Sequence, residues 1–445
     1  MPADLMQIGK SGTVAARSAL DVTAQNIANA NNEDYARRSV SLSEVTATGS
    51  VAFYSDSALS GVRVDQVRRM DSLFLQNQAR RTGSDVARAD AELSGLRNAE
   101  ASVEQAGIYP AIVEFEASLS ALRSDPLDGS LRAAVVENGR TLAETLRIAD
   151  GALSLAGDQI RFEATSGVEQ VNLASAELVR INTAIVRTRP GTSSHATLLD
   201  QRDAQLRQLS DTAGIAVSYQ PSGVVNVQLG DASGPFLVQG TQAGILATTS
   251  NPDGTIAFAL DGAPANPASG SLAGQAQALS AQRDIGTALD TLASQLMHQV
   301  NDAQASGVAL DGSTGQPFFA GTGASDIAVV LPGGNGLATA PAGSPAVSRD
   351  TANIDALRSA LANGGPASEA DRILFELANA VSSRATTRDA LGAIAETAQI
   401  ALSRETAVDL DAEAANLVRY QRAFQASGRV IQVASDIFDT VLGLR

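Results

Sequence analysis

The chain has 445 residues, no cysteine, no tryptophan and a formal net charge of −16, which predicts two or three domains rather than one core. Lys10 is the only lysine and the arginines lie dispersed among carboxylates, so tracking along a nucleic-acid backbone is excluded. His195 and His298 are the only histidines, which excludes multi-histidine zinc sites and, with no cysteine, thiolate metal sites and disulfides.

Residues 4–30 read as a helix. Leu5, Gly12, Ala19 and Asn26 form one seven-residue stripe, and Ile8, Ala15, Val22 and Asn29 form a second, offset by three. That is the seam of a coiled coil, with small knobs that turn polar at its end. The asparagines and Asp34 stop the helix, with Asn31 and Asn32 suited to the turn. A β-leaning stretch follows to about Val67, broken at Gly49 and Gly61. From Asp71 the helical period returns, punctuated at Pro110 and at Asp125-Pro126, with a shorter helix over Ile112–Leu122 between them. Leu131 to about Val186 predicts one or two long helices, and Leu198–Leu209 a short one.

At Gly214 the period switches to two. Ile215, Val217 and Tyr219 alternate, Pro221-Ser222-Gly223 turns, and Val225, Val227 and Leu229 alternate again, which predicts a hairpin. "FLVQG", "GILATTS" and "TIAFALDG" continue as short strands. Helix resumes from Leu272 to about Ala303. Residues 306–350 are an irregular glycine-rich return path with the patches "PFFA" and "DIAVVL". Helices then run over Ala352–Ala362 and from about Ser368 onward, with an interruption near Arg404.

The last forty residues carry the clearest period. Leu410, Leu417, Phe424, Ile431 and Phe438 stand seven apart, widened by Ala414, Val430, Ala434, Ile437 and Val441. A helix of about 35 residues spans roughly 50 Å. Asp409, Asp411 and Glu413 stand at its start, where the dipole favours them. Asn416, Arg419, Tyr420 and Gln421 form a polar cluster beside the seam, and Gly428 leaves room for a neighbouring backbone. Seven-residue seams at both ends require partners: each other, or neighbouring molecules. Alone they bury little, so they are expected to order on pairing.

The fold class expected is therefore mainly α with a smaller β module, elongated and multidomain, with terminal helices forming a coiled-coil-like core and a long helical middle region. The segments are 1–70, an N-terminal helix and extended arm; 71–213, the first half of a long helical domain; and 214–270, a small β domain. They continue with 271–350, a return helix and irregular segment; 351–404, the second helical half; and 405–445, the C-terminal helix.

"QNIANANNEDYARRSV" and "VDLDAEAANLVRYQRAFQASGRVIQVASDIFDTVLGL" resemble the N- and C-terminal signatures of the axial proteins of the bacterial flagellum, which comprise rod, hook and hook-associated proteins. The stretch Ser269–Phe319, with Asn301 and the closing pair Phe318-Phe319, resembles the hook-associated branch at the junction of hook and filament. The family's proline-glycine before the tyrosine is replaced here by Glu33-Asp34, so the turn is made another way. The chain is short for the family, which implies that an outer domain is reduced or missing.

The resemblance implies a structural subunit that self-associates in a helical or ring-like assembly. The implied partners are hook protein, a second junction protein, filament subunits and an export chaperone at the C-terminus. It implies an extracellular place at the hook–filament junction, reached by type III export without signal cleavage. The axial contacts implied are Leu5, Ile8, Ala15, Ala19, Val22, Asn26, Asn29, Tyr35, Arg37 and Arg38 at one end. At the other they are Leu410, Asn416, Leu417, Tyr420, Phe424, Gly428, Ile431 and Phe438. Arg37 and Arg38 are expected to meet carboxylates of another subunit.

No signal-peptide core and no transmembrane span is visible, so no membrane insertion is expected. An enzymatic reading finds no support. His195 with Asp200 and Asp203 lacks a nucleophile elbow, and His298 reads as a boundary or surface residue. "GSTGQP" and "LPGGNG" lack the lysine of a phosphate loop, and "DGSTG" has too few oxygen ligands for a calcium loop. No metal and no cofactor are expected. The competing readings are another axial protein, from hook or distal rod, and a non-flagellar secreted coiled-coil scaffold.

Overall fold

The computed structural model describes residues 2–45, 61–362 and 364–443, so the break expected at Gly49 lies outside the described residues, as does the side chain of Val441. The protein is mainly helical with small β-sheets. In chain order it runs α1 (Pro2–Ala28), β1 (Arg38–Glu44), β2 (Val62–Arg69), α2 (Leu73–Ala106), α3 (Ile108–Ser124), α4 (Gly129–Arg187) and α5 (Ser193–Ala213). Seven strands follow: β3 (Ile215–Tyr219), β4 (Val225–Leu229), β5 (Phe236–Gln239), β6 (Gln242–Ala243), β7 (Leu246–Ser250), β8 (Ile256–Leu260) and β9 (Ala263–Pro264). Then come α6 (Ser271–Ala305), β10 (Gly307–Val308), β11 (Phe319–Ala320), β12 (Ala328–Val329), β13 (Ala340–Pro341), α7 (Ala352–Ala362), α8 (Pro366–Thr406) and α9 (Leu410–Gly443). Packing divides the chain into two units: residues 2–84, 170–246 and 392–443 form the first, and 85–169 and 247–391 the second.

In the first unit α1 packs along α9, and β1 and β2 form an antiparallel ladder from Arg38↔Arg69 to Glu44↔Val62 beside α1. α5 runs four residues or more beyond the expected Leu198–Leu209 at each end. Its start is fixed by Thr192, whose hydroxyl accepts from the His195 N–H at 3.2 Å, and its end by Gly214 at φ 58°. The sheet β3-β4-β5-β6 is the hairpin expected from the alternating residues, extended by two strands. Buried Asn182 of α4 holds it, donating to Val225 O at 3.0 Å and Gly240 O at 2.8 Å and accepting from Val225 N at 3.2 Å.

The second unit is built around a large apolar core in which Phe115, Phe318 and Phe319 cluster, with ring centroids 4.6–6.1 Å apart. The helix break expected at Pro110 falls instead at Gly107, which takes φ 74°. Pro110 sits in the first turn of α3, where its missing N–H costs nothing. The irregular 306–350 path keeps its backbone satisfied by side chains from neighbouring helices. Asn301 donates to Phe319 O and accepts from the N–H groups of Phe318 and Phe319 at 2.8–3.0 Å. Asn353 donates to Ala303 O and Ala338 O. Arg132 is fully buried and donates to the carbonyls of Pro126, Gly334 and Leu337 and to the Thr339 hydroxyl. Burial without a carboxylate pulls its pKa below the usual arginine range.

Candidate functional site

Glycines make the α1–α9 contact close. A Cβ on Gly9 would sit 2.6 Å from Ile431 Cγ1 and 3.1 Å from Ser427 O, and one on Gly12 would sit 2.6 Å from Ser427 Oγ. Gly12 belongs to the first N-terminal stripe and Ile431 to the C-terminal one. Ala15, Ala16, Ala19 and Val22 of α1, which packs against α9, β1 and β2, are buried, as is Ala434 of α9. Leu417, Tyr420, Gly428 and Ile431 are half-buried, as is Asn416. Other seam residues stay open: Leu5 and Ile8 near the start of α1, Leu410 and Phe438 near the ends of α9, and Phe424 at its middle. Gly428 has nothing within 4 Å of where its Cβ would lie, so the room it leaves is unfilled in its own chain.

Beside the α1-facing side of α9 runs a second, exposed apolar row. Ala426, Val430, Val433 and Ile437 follow one another in steps of four, three and four, the spacing of a coiled-coil seam. Val433 is 55% exposed and Ile437 40%. The sequence pattern merged this row with the first.

The asparagine-rich turn after α1 is a folded joint. Asn26 is buried; its amide donates to Arg38 O at 2.8 Å, and its carbonyl accepts from Tyr35 Oη at 2.8 Å and Arg38 N at 3.0 Å. Asn29 donates within its own helix, to Gln25 O. The turn lacking proline-glycine is made by Asn32, whose side chain accepts from Asp34 N at 3.1 Å and whose carbonyl accepts from Tyr35 N at 3.0 Å. Burial pushes the Tyr35 hydroxyl up to about 12, against the opposing pull of Arg38.

Arg37 and Arg38 meet carboxylates of their own chain. Arg37 Nε lies 2.8 Å from Glu413 on α9, and its N–H donates to Thr406 O. Arg38 reaches Asp200 at 2.6 Å, and Arg69 bridges Asp200 at 2.7 Å and Asp203 at 2.8 Å. Arg202 also reaches Asp203, at 2.8 Å. Burial pushes the Asp203 pKa up, but Arg202 and Arg69 outweigh it and hold the carboxyl below the usual range. The same carboxylates raise the Arg69 pKa against its desolvation. Asp200 and Asp203, which a catalytic reading would pair with His195, are thus the anions of a buried structural lattice. Burial and Arg202 keep the His195 pKa low.

Beside this joint lies a cleft of about 770 Å³, lined by the 30–36 turn, the first part of α2, α5 and the α8–α9 turn. Among the described residues no three His, Asp or Glu side chains are grouped to hold a metal, and no helix is long and apolar enough to cross a membrane.

Residues 93–319, more than half of the chain, match the family described as Flagellar hook-associated protein FlgK helical domain. The chain belongs to the FlgK family of flagellar hook-associated proteins. Residues 404–444 also match the family described as Flagellar basal body rod FlgEFG protein C-terminal. Flagellar hook-associated protein 1 of Bacillus subtilis is 24% identical over 497 residues, covering 98% of this chain and 97% of the relative. The Escherichia coli protein of the same name is 28% identical over 334 residues, 71% of this chain and 60% of that relative. A solved structure of the hook junction protein FlgK from Burkholderia pseudomallei aligns with TM-score 0.48 at 28% identity, over 55% of this chain and 46% of that one. This FlgK-family chain is a structural axial protein of the flagellum joining hook to filament.

Proposed function

We propose that the chain polymerises at the hook–filament junction through the faces of α1 and α9 that their mutual packing leaves open. The observation that carries this reading is the second seam of α9: one row faces α1, while Val430, Val433 and Ile437 face outward. A row of large apolar side chains at seam spacing gains stability only when another helix covers it. Hook protein on one side, and the second junction protein with filament subunits on the other, are the neighbours this role requires. An export chaperone covers the C-terminal row before secretion, and the chain leaves through type III export without signal cleavage.

Immuno-electron microscopy of tagged protein on isolated flagella tests the location. A single short band where hook meets filament is expected, and label along the whole hook would replace the junction role with that of hook protein. Val433→Asp with Ile437→Asp tests the interface. Both side chains are exposed, so the secreted monomer keeps its unfolding midpoint and is lost from flagella. Normal incorporation of this variant would end the proposal.

A further inference from the structure

The open face of α9 changes character along its length. Arg419 and Arg422 come first and Ala426, Val430, Val433 and Ile437 follow, each three or four residues after the last, so all six share one face. Among the described residues neither arginine has a carboxylate partner: Arg419 stacks on Tyr420 and donates to its hydroxyl at 2.9 Å, and Arg422 makes no ion pair. In a chain of net charge −16, unpaired arginines on an otherwise apolar face call for a particular partner.

The cleft beside the joint has the opposite imbalance. Asp34 is paired with Arg207, and Asp203 with Arg69 and Arg202. Among the described residues Glu33, Asp211 and Glu396 line the same cleft with no ion pair, against a single arginine there without one, Arg80, which bonds to Asn77 and Tyr219. Asp211 is half-buried, and burial raises its pKa more than Arg207 lowers it, which marks a carboxylate short of a cation. Leu402, Ala407 and Val408 add apolar wall.

We infer that Arg419 and Arg422 on the open face of α9 dock into the carboxylate-lined cleft of a second copy of this chain. The inference rests on the self-assembly reading above and names the surfaces that meet. Helix face and cleft are different surfaces, so the contact is heterologous and leaves a free face and a free cleft on each pair. It repeats from copy to copy as a ring or a helix. Opposite charge on the two surfaces sets register and steers docking, and the apolar row next to the arginines supplies burial.

The absence of native cysteine makes the test clean. Full-length protein carrying both Arg422→Cys and Glu396→Cys is incorporated into flagella and oxidised. A ladder of linked copies that disappears on reduction is expected. Assembled flagella without the ladder would overturn the docking. A charge swap is the second measurement. Arg419→Glu with Arg422→Glu lowers incorporation about tenfold or more, and adding Glu33→Arg with Glu396→Arg restores most of it. Full incorporation of the first pair, or no rescue by the second, overturns the inference. The two readings fail separately. If Val433→Asp/Ile437→Asp blocks incorporation while Arg419→Glu/Arg422→Glu does not, the docking falls and the assembly reading stands. If neither pair has an effect, both fall.

Discussion

The core of the second unit and the α1–α9 pair use opposite materials for the same task of holding helices together. The core fills its centre with Phe115, Phe318, Phe319, Ile112, Leu122 and Leu146, all essentially inaccessible to solvent. The pair places Gly9, Gly12, Ser427 and Ile431 at its contact and leaves Val14, Val433, Ile437 and Phe438 exposed. Large buried side chains contribute about 2 kcal/mol each by area, whereas alanine contributes far less. The first arrangement is complete in one molecule. The second brings two helices close while leaving large side chains exposed, as the proposed assembly requires.

The sharpest way to break the comparison is to damage the complete side. Phe318→Ala removes a ring packed at 5.7 Å against Phe115 and at 4.6 Å against Phe319. A loss of about 3–5 kcal/mol is expected, read as a lowered urea midpoint for the second unit. A substitution of similar size on the α1–α9 pair, Phe438→Ala, should leave the monomer midpoint within about 0.5 kcal/mol, because that ring is half exposed. Equal losses at the two positions would erase the distinction.

Next in size is the ionic joint from which α1 departs. Asp203→Asn leaves Arg69 and Arg202 short of an anion, at a cost of about 3 kcal/mol. The sign of its pH dependence follows from the depressed folded-state pKa. Its stabilisation is fully present above the unfolded aspartate value of about 3.9 and is lost as pH falls through the folded value. Urea titrations of the first unit from pH 6 down to about pH 2 should show the wild type falling below about pH 4. Asp203→Asn should lack that share of the fall. A variant with the wild-type slope would remove Asp203 from the account.

What the sequence disclosed divides along the same line. The long helices, the switch to strand at Gly214 and the first α9 seam are periodic, and period survives in a linear reading. Asn301 with Phe318 and Phe319 was visible through the family resemblance, and its three backbone hydrogen bonds explain why those residues go together. The joint was not legible: Arg38 and Asp200 are 162 residues apart, and no local pattern joins them. Nor was the second α9 row, because Ala426 reads as filler and Val430 and Ile437 as the margin of the first stripe. Pro110 misled because a proline three residues after a left-handed glycine belongs to the next helix's first turn, not to a break.

The smallest expected effect separates closeness from strength in the α1–α9 contact. Gly12 and Gly9 both sit inside a helix, where glycine costs nearly 1 kcal/mol relative to alanine. At Gly12 the obstacle to a Cβ is the Ser427 hydroxyl, the movable end of a side chain, at 2.6 Å. Removing it with Ser427→Ala while making Gly12→Ala should return about 0.5 kcal/mol or more of helix stability. At Gly9 the obstacles include Ser427 O of the backbone at 3.1 Å as well as Ile431 Cγ1. Gly9→Ala therefore forces α9 outward and should cost about 1 kcal/mol net. Thermal melts of the two variants should move in opposite directions. Two shifts of the same sign would mean that propensity alone governs the contact, and that the glycines are not there to bring the helices together.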